Sequence, residues 1–483
     1  MMMSLLLNPY KYANEFQYFS RHTILLTVAV CMILVQPLMA AEEINDNLVN
    51  ARWLEKNLKN DKVLILDGGL FKWEEEGLPV TKDFKPVMKK GSFTIVKINE
   101  DVRVKLPEFL TASGDPVNNV LLEALGGDWH FGKVLAFNRA GHIPNAILLP
   151  STDFYNKDKT FKSAEEIKRM LIYLGIRPEQ KIYTYCGGEV AASVPFFTIK
   201  FLVKYPKVKL YKESEIGWLS DERELPYWTY DAPFLMRETS WLQFWGGHMI
   251  RTFGGTNVSI VDVRTSDAFY QGHTPFALNI PGTVFKSNIS NTNKLSEILG
   301  SAGVNVSHET VLISGAGLTR DAALTFVLLE KLGHKKVSVF MNSMDGWVKL
   351  GFALTKDSTV VGPKKGRNDL SIHPTTYPGN VLRNEIFADP MSSHGSYPRV
   401  LIASDKNVLS KAQTGKVIHV PYTDLLNADS TPKAAKDIWD ILTSAGVPIY
   451  AELVCYSDDP GEAAVNYFIL KLMGYSDIKV FMI

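Results

Sequence analysis

Cysteine is scarce in this chain of 483 residues. It occurs three times, as Cys31, Cys186 and Cys455. So few cysteines cannot form the dense disulfide framework that stabilises small secreted domains. Cys31 lies in an apolar N-terminal run, and the other two are far apart in sequence. We therefore expect at least one free thiol, and retention of a free thiol needs either burial or a chemical role.

An excess of charge of either sign is also absent. Lysine and arginine number 52 against 51 acidic residues, which leaves a formal net charge of +1. A balanced chain creates no long-range field for nucleic acid or an anionic membrane surface, so no nucleic-acid partner is expected. No set of histidine, cysteine and acidic residues has the spacing of a metal site, and neither a metal nor a cofactor is expected.

The N-terminus has the features of a targeting segment. An apolar run from Ile24 to Val35 follows Arg21 and precedes Ala40 and Ala41. This pattern predicts that residues 1–41 are a secretory signal peptide, because the run is short for a spanning helix of ~20 residues. An uncleaved membrane anchor remains the alternative. Cleavage implies a periplasmic or secreted protein with no stable membrane association.

A β run, a short loop and an apolar helix occur together three times. The loops begin at Cys186, Ser314 and Cys455. Upstream of the first two loops stand GHIPNA at 141–146 and GHTPFA at 272–277, and GKVIHV at 415–420 is a weaker copy. Similar spacing between two landmarks indicates one unit used three times. Strand-like runs alternating with helical runs predict α/β units, each with a central, mainly parallel sheet flanked by helices.

The repeat predicts three domains after the signal. They are residues 47–231, residues 232–360 and a short third domain at 395–483, with a linker at 361–394. If Val63 opens the first domain, 74 residues separate Asp67 from Gly141, whereas 10 separate Asp262 from Gly272. We therefore expect an inserted segment at about 74–135, as either a surface subdomain or a lid over the Cys186 loop.

The Cys186 loop has the composition of a sulfur site. A thiol at the end of a strand, followed by glycines and the start of a helix near Ala192, faces backbone amides that stabilise a thiolate or a persulfide. Cys186 as a small, buried structural residue is the alternative.

These residues resemble a known family. The sequence from Cys186 to Ala192, GHIPNA upstream, and Asp262-Val263-Arg264 before GHTPFA are similar to rhodanese-like sulfurtransferase domains in tandem. The resemblance implies that Cys186 is the nucleophile and carries sulfane sulfur as a persulfide. It implies a small sulfur donor and a thiol or cyanide-like acceptor, with a protein acceptor possible. The expected cradle residues are Gly187, Gly188, Glu189, Val190, Ala191 and Arg139.

The sequence also departs from the family pattern. Glu189 places an acid where a thiosulfate dianion would bind, and Arg139 either compensates for it or is structural. Ser314 cannot hold sulfane sulfur, and the acidic loop after Cys455 favours a buried structural cysteine. Two hypotheses follow: an exported sulfurtransferase with one active site, or a non-catalytic periplasmic binding or scaffold protein.

Overall fold

The computed structural model describes residues 48–58, 64–83, 99–220, 222–253, 256–363, 370–378, 382–388, 395, 397–405 and 416–481. The chain divides into two compact units, residues 1–82 and residues 83–483. The predicted signal peptide lies outside the described residues and stays a prediction. Within the described ranges no helix combines the length and the apolar composition that a bilayer span requires.

The first unit holds a small parallel pair of strands. Leu48 pairs with Ile65, and Val49 pairs with Leu66. The helix after the first strand begins at Asn50, whose side chain accepts a hydrogen bond from the Trp53 amide at 2.8 Å, which is a standard N-cap. The elements are Leu48–Val49 (β1), Ala51–Lys56 (α1), Ile65–Leu66 (β2) and Gly69–Glu75 (α2).

The second unit begins with a five-stranded parallel sheet. Its strand order is β3-β7-β6-β4-β5. The strands are Arg103–Val104 (β3), Asn119–Glu123 (β4), Ala146–Leu148 (β5), Lys181–Tyr185 (β6) and Val208–Tyr211 (β7). The helices are Leu106–Ser113 (α3), Gly127–His130 (α4), Ala164–Tyr173 (α5), Ser193–Phe197 (α6) and Ser214–Leu219 (α7).

The expected insertion at 74–135 needs correction. Residues 74–135 contain β4, and β4 lies inside the sheet, where Leu121 pairs with Tyr183 on one side and with Ala146 on the other. Asn119–Glu123 therefore takes the inner place in the sheet that was expected for the run near Val63, and that run belongs to the first unit. The run near Val63 and the run at Asn119–Glu123 are both short and apolar. Periodicity alone does not show which of them forms the buried parallel strand of the sheet.

The second sheet repeats this arrangement. Its strands run in the order β8-β12-β11-β9-β10, again all parallel. The strands are Met236–Arg237 (β8), Val258–Asp262 (β9), Ala277–Asn279 (β10), Glu309–Ile313 (β11) and Val337–Phe340 (β12). The helices are Thr239–Gly246 (α8), His248–Thr252 (α9), Ser266–Gln271 (α10), Gly282–Ser287 (α11), Thr292–Ser301 (α12), Arg320–Lys331 (α13) and Met344–Lys349 (α14).

The third sheet has four parallel strands in the described residues, in the order β16-β15-β13-β14. The elements are Arg399–Ala403 (β13), Lys416–His419 (β14), Ala435–Ser444 (α15), Glu452–Tyr456 (β15), Pro460–Leu472 (α16) and Ile478–Val480 (β16). This order matches four strands of each preceding sheet. The structure confirms the α/β class with mainly parallel sheets flanked by helices.

The second and third sheets share one hydrophobic core. Helix α13 packs along helix α16, and the rings of Phe326 and Phe468 meet edge to face with centroids 5.0 Å apart. The first sheet has separate apolar clusters. In one, Phe109 stacks on Tyr211 at 3.9 Å, in a second Phe154 is fully buried, and a third, smaller cluster contains Cys186 itself. The Cys186 loop therefore stands on a largely separate core.

Candidate active site

Cys186 directly follows β6, in the middle of the first sheet. The strand end is fixed by the Ala124 amide, which donates to the Tyr185 carbonyl at 2.9 Å. The Glu215 amide donates to the Cys186 carbonyl, also at 2.9 Å. Cys186 is 2% exposed, whereas Val190 in the following loop is 83% exposed. The thiol thus lies at the base of an exposed loop.

The backbone amides of this loop divide into two groups. The Glu189 amide donates to Ser214 Oγ at 3.3 Å, and the Val190 amide donates to the Gly188 carbonyl at 3.0 Å. These two amides are therefore not available for the cradle that the sequence predicts. Within the described residues, the amides of Gly187, Gly188 and Ala191 have no hydrogen-bond acceptor. Free N–H groups of this kind can donate hydrogen bonds to an anionic sulfur and stabilise it.

The strained residue of the loop is the acid, not a glycine. Glu189 has a φ of 73°, and the hydrogen bond across it closes a three-residue γ-turn. A Cβ added at Gly188 would meet nothing within 4 Å, and one at Gly187 would lie 3.7 Å from Leu125, an ordinary contact. The glycines therefore keep space open rather than supply a left-handed conformation.

The acid of the loop has a partner that the sequence did not reveal. Arg103 donates to Glu189 Oε2 at 2.7 Å. Arg103 lies on β3, inside the segment expected to be an insertion, so no local signal connected it to the loop. A half-exposed arginine beside the loop partly offsets the repulsion that Glu189 exerts on an anionic donor.

Arg139 is not part of the cradle. Its Nε donates to the Leu219 carbonyl at 3.0 Å, and its terminal nitrogens donate to the carbonyls of Trp218 and Leu225. The guanidinium therefore anchors the end of helix α7. The structure corrects the expected position of Arg139 and gives it the structural role that was the alternative.

A buried chain of ionisable groups lies beneath the sheet edge. Glu123 Oε2 is 2.5 Å from His130 Nδ1, and His130 Nε2 is 2.6 Å from Asp231 Oδ1. Burial alone would lower the pKa of His130, but the carboxylates of Asp231 and Glu123 raise it to about 10. His130 is therefore an imidazolium held between two carboxylates.

Glu123, His130 and His142 are close enough together to be tested as a metal site. The two imidazole rings stack with centroids 3.6 Å apart and an interplanar angle of 1°. Nitrogen lone pairs of stacked rings run parallel, so one ion cannot lie in the plane of both rings as coordination requires. His142 instead donates from Nδ1 to the His130 carbonyl. The side-chain geometry does not fit a metal centre here.

Strand pairing shows which residues correspond to Cys186. The amides of Ala124, Val263 and Ser404 donate to the carbonyls of Tyr185, Ile313 and Tyr456 at the equivalent strand ends. The residue that follows each carbonyl is Cys186, Ser314 or Ser457.

The third loop therefore starts at Ser457, not at Cys455 as expected. Cys455 lies within β15, opposite Ile402, and is fully buried. Burial raises the pKa of its thiol well above the usual value.

The second and third loops are closed. Ser314 Oγ donates to the Gly317 carbonyl at 2.6 Å, and the Leu318 amide donates to the Ser430 carbonyl at 2.8 Å. In the third loop Ser457 Oγ donates to Glu462 Oε2 at 2.8 Å. Each serine is occupied by its own loop, so neither is placed to react.

Two segments of the chain match the rhodanese-like domain, residues 130–221 and residues 249–350. The matches contain the Cys186 loop and the Ser314 loop in turn. These two segments of the chain are therefore rhodanese-like domains.

Named relatives agree with this family. The chain is 30% identical over 178 residues to the sulfur carrier protein TtuD of Thermus thermophilus, covering 35% of this chain and 62% of the relative. It is 33% identical over 173 residues to a putative thiosulfate sulfurtransferase of Mycobacterium tuberculosis, covering 34% and 61%. The chain therefore spans about three-fifths of the length of these relatives. A solved ergothioneine biosynthesis enzyme from Chlorobium limicola is 17% identical, with a TM-score of 0.43 over 79% of this chain and 95% of that one.

Proposed function

We propose that the protein is a sulfurtransferase in which Cys186 carries sulfane sulfur as a persulfide. The observation that supports it best is a comparison of equivalent positions. Three strand ends correspond in the described sheets, and the one that bears a thiol is also followed by the more open loop, since Val190 is 83% exposed and the equivalent Leu318 is 1% exposed. Relatives named as a sulfur carrier and as putative sulfurtransferases support the same chemistry.

In the proposed reaction the Cys186 thiolate attacks the sulfane sulfur of a donor. A bond forms between Cys186 Sγ and that sulfur. The bond between that sulfur and the rest of the donor breaks, and the rest of the donor leaves with the electron pair. An acceptor, such as a thiol or cyanide, then attacks the outer sulfur and releases the Cys186 thiolate, which is covalent ping-pong catalysis. The amides of Gly187, Gly188 and Ala191 are the donors available to the persulfide anion.

The donor, acceptor and compartment are part of the same proposal. Glu189 disfavours a dianion such as thiosulfate, so an uncharged or protein-bound sulfur source suits the loop better even with Arg103 beside it. The acceptor is a small thiophile or a protein thiol. Export to the periplasm or the medium rests on the N-terminal sequence.

The burial of Cys186 favours a second candidate function. At 2% exposure, the thiol could be a structural residue of a non-catalytic binding or scaffold protein. The closed loops around Ser314 and Ser457 fit that candidate as well.

Mass spectrometry after treatment with a sulfur donor distinguishes the two candidates. The full chain is incubated with thiosulfate or with 3-mercaptopyruvate, and the peptide that contains Cys186 is analysed without reduction. A sulfurtransferase gains about 32 Da, one sulfur atom, on Cys186 and converts added cyanide to thiocyanate. Cys455→Ser serves as the matched control and keeps both signals, whereas Cys186→Ser loses both. Thiocyanate formation that persists in Cys186→Ser would refute the proposal.

A further inference from the structure

A cavity of about 400 Å³ lies between the first and third domains, apart from the Cys186 loop. Its walls come from the start of β4 and from β5, from the segment that leads to β8, and from α15 and the turn after α16. None of the loop residues 186–192 lines it. A cavity of this volume, with mainly apolar walls and few polar groups, has the properties of a small-molecule site.

Hydrogen bonds between the domains hold the walls of this cavity in place. On the third domain, Trp439 donates from Nε1 to Asp128 Oδ1 of the first domain at 3.1 Å. The Ala232 amide, in the segment that leads to β8, donates to the Leu472 carbonyl of α16 at 3.1 Å. A ligand therefore enters a cavity whose walls are already ordered, which lowers the entropic cost of binding.

Aromatic side chains line the cavity from three directions. Phe131 comes from the first domain, Phe234 from the segment before β8 and Trp439 from the third domain. The rings of Phe131 and Trp439 are 5.0 Å apart at an interplanar angle of 34°, and Phe234 is 51% exposed. Tyr475 also lines the cavity, and its buried hydroxyl has no hydrogen-bond partner within the described residues. The negative faces of aromatic rings attract cations.

Asp231 is the one charged residue among the described residues that line the cavity. Its Oδ1 is 2.6 Å from His130 Nε2, whereas no donor of the described residues is bonded to its Oδ2. A Cβ added at Gly474, which also lines the cavity, would collide with Oδ2, so the glycine keeps this oxygen open. His130 stands between the carboxylates of Asp231 and Glu123, and a single imidazolium leaves one negative charge without a counterion.

We propose that this cavity binds a small organic cation, an ammonium group with alkyl substituents. Its charge pairs with Asp231, and its alkyl groups pack against the aromatic side chains. An anion is disfavoured by the carboxylate, and a bare metal ion would find too few oxygen ligands in walls that are mainly apolar. The site is separate from the proposed sulfur transfer and does not depend on it.

The test compares two ligands of the same shape. The full chain is titrated by calorimetry with choline and with 3,3-dimethylbutan-1-ol, which has a carbon in place of the charged nitrogen. We expect choline to bind at least about tenfold more tightly than the neutral alcohol, because only choline pairs with the carboxylate and the ring faces.

Three variants locate the binding. Asp231→Asn keeps the shape of the side chain and removes its charge, so it should abolish the preference for choline and leave the affinity for the alcohol unchanged. Phe234→Ala should weaken choline binding by about threefold to tenfold. Phe244→Ala is the matched control, since Phe244 is 47% exposed on α8 and does not line the cavity, and it should change neither affinity.

Equal affinities for choline and the alcohol would overturn the inference, and so would choline binding that Phe234→Ala leaves unchanged. No binding of choline at millimolar concentrations would overturn it as well. Because Asp231 also contacts His130, circular dichroism checks the fold of Asp231→Asn. If that variant does not fold, the two ligands on the parent chain and on Phe234→Ala decide. Sulfur uptake on Cys186 without choline binding would refute this inference alone, and the reverse result would refute the proposed function alone.

Discussion

The Cys186 loop and the Ser314 loop hold the same place in two sheets of the same strand order, yet they differ in access. Val190 in the first loop is 83% exposed, whereas Leu318 in the second is 1% exposed. The difference comes from the third domain, because the Ser430 carbonyl accepts from the Leu318 amide and a Cβ on Gly317 would lie 2.6 Å from that same carbonyl. A loop closed in this way cannot admit a substrate.

The two loops also differ in what lies beneath them. Under Cys186 stand the acids Glu215 and Glu123, whereas at the equivalent position of the second domain Asp262 forms an ion pair with Arg264 at 2.6 Å. If Cys186 is the reactive residue, as we propose, then the loop with the sulfur is also the loop with the open surface and the acidic surroundings.

The largest expected effect is the loss of sulfur uptake when Cys186 is replaced, and a cysteine placed at the equivalent Ser314 should not restore it. Cys186→Ser should lower sulfur uptake on the order of 10³-fold or more, because the nucleophile is removed. Ser314→Cys in that background should not restore it, since the Leu318–Ser430 contact closes the second loop. Mass spectrometry of both peptides after donor treatment measures the two outcomes. A persulfide on the new cysteine would show that loop closure is not what separates the loops.

The shared core behind the Ser314 loop provides the next test. Phe468→Ala should lower the free energy of unfolding by about 3–5 kcal/mol, because the ring is fully buried against Phe326 between the second and third domains. Hydrogen exchange should show lost protection in helices α13 and α16 together, while alkylation of Cys186 stays within about twofold. Phe109→Ala in the core of the first sheet is the control. It should change the alkylation of Cys186 and leave the protection of helices α13 and α16 unchanged. Equal loss of protection in all three sheets for both variants would contradict separate cores.

The sequence identified those features that are local or repeated. The landmark at 141–146, its copy at 272–277 and the strand–loop–helix pattern together predicted parallel α/β units and put Cys186 at a strand end. The family match then covered the first two units. These predictions depend on periodicity and spacing, which a single chain displays directly.

What the sequence missed depends on contacts between distant residues or on register. The third loop was expected to start at Cys455, whereas Ser457, two residues further on, is the equivalent position. A shift of two keeps the same face of a strand, so the apolar pattern fits both registers. Arg103 and Glu215 reach the Cys186 loop from separate elements, and neither carries a local signal of that contact.

A charge change at Glu189 should have a smaller effect, on donor choice. Glu189→Gln removes an acid beside the sulfur, so sulfur transfer from thiosulfate should rise roughly fivefold to tenfold, equivalent to about 1 kcal/mol at an intermediate dielectric. Arg103→Gln leaves Glu189 uncompensated and should lower the same rate. A neutral donor should respond to neither variant, and added salt should shrink both differences. Equal changes for charged and neutral donors would indicate a structural cause instead.

The smallest effect concerns backbone strain, and it contrasts the two loops once more. Glu189→Gly should raise the free energy of unfolding by about 1 kcal/mol relative to Glu189→Gln, because the residue has a φ of 73° that a side chain disfavours. Gly315→Ala should instead destabilise the second loop, since its φ is 82° and a Cβ would lie 2.9 Å from Arg264 Cδ. Urea unfolding of the three variants measures both changes. If Glu189→Gly and Glu189→Gln prove equally stable, the γ-turn stores no strain and the glutamate is retained for its charge.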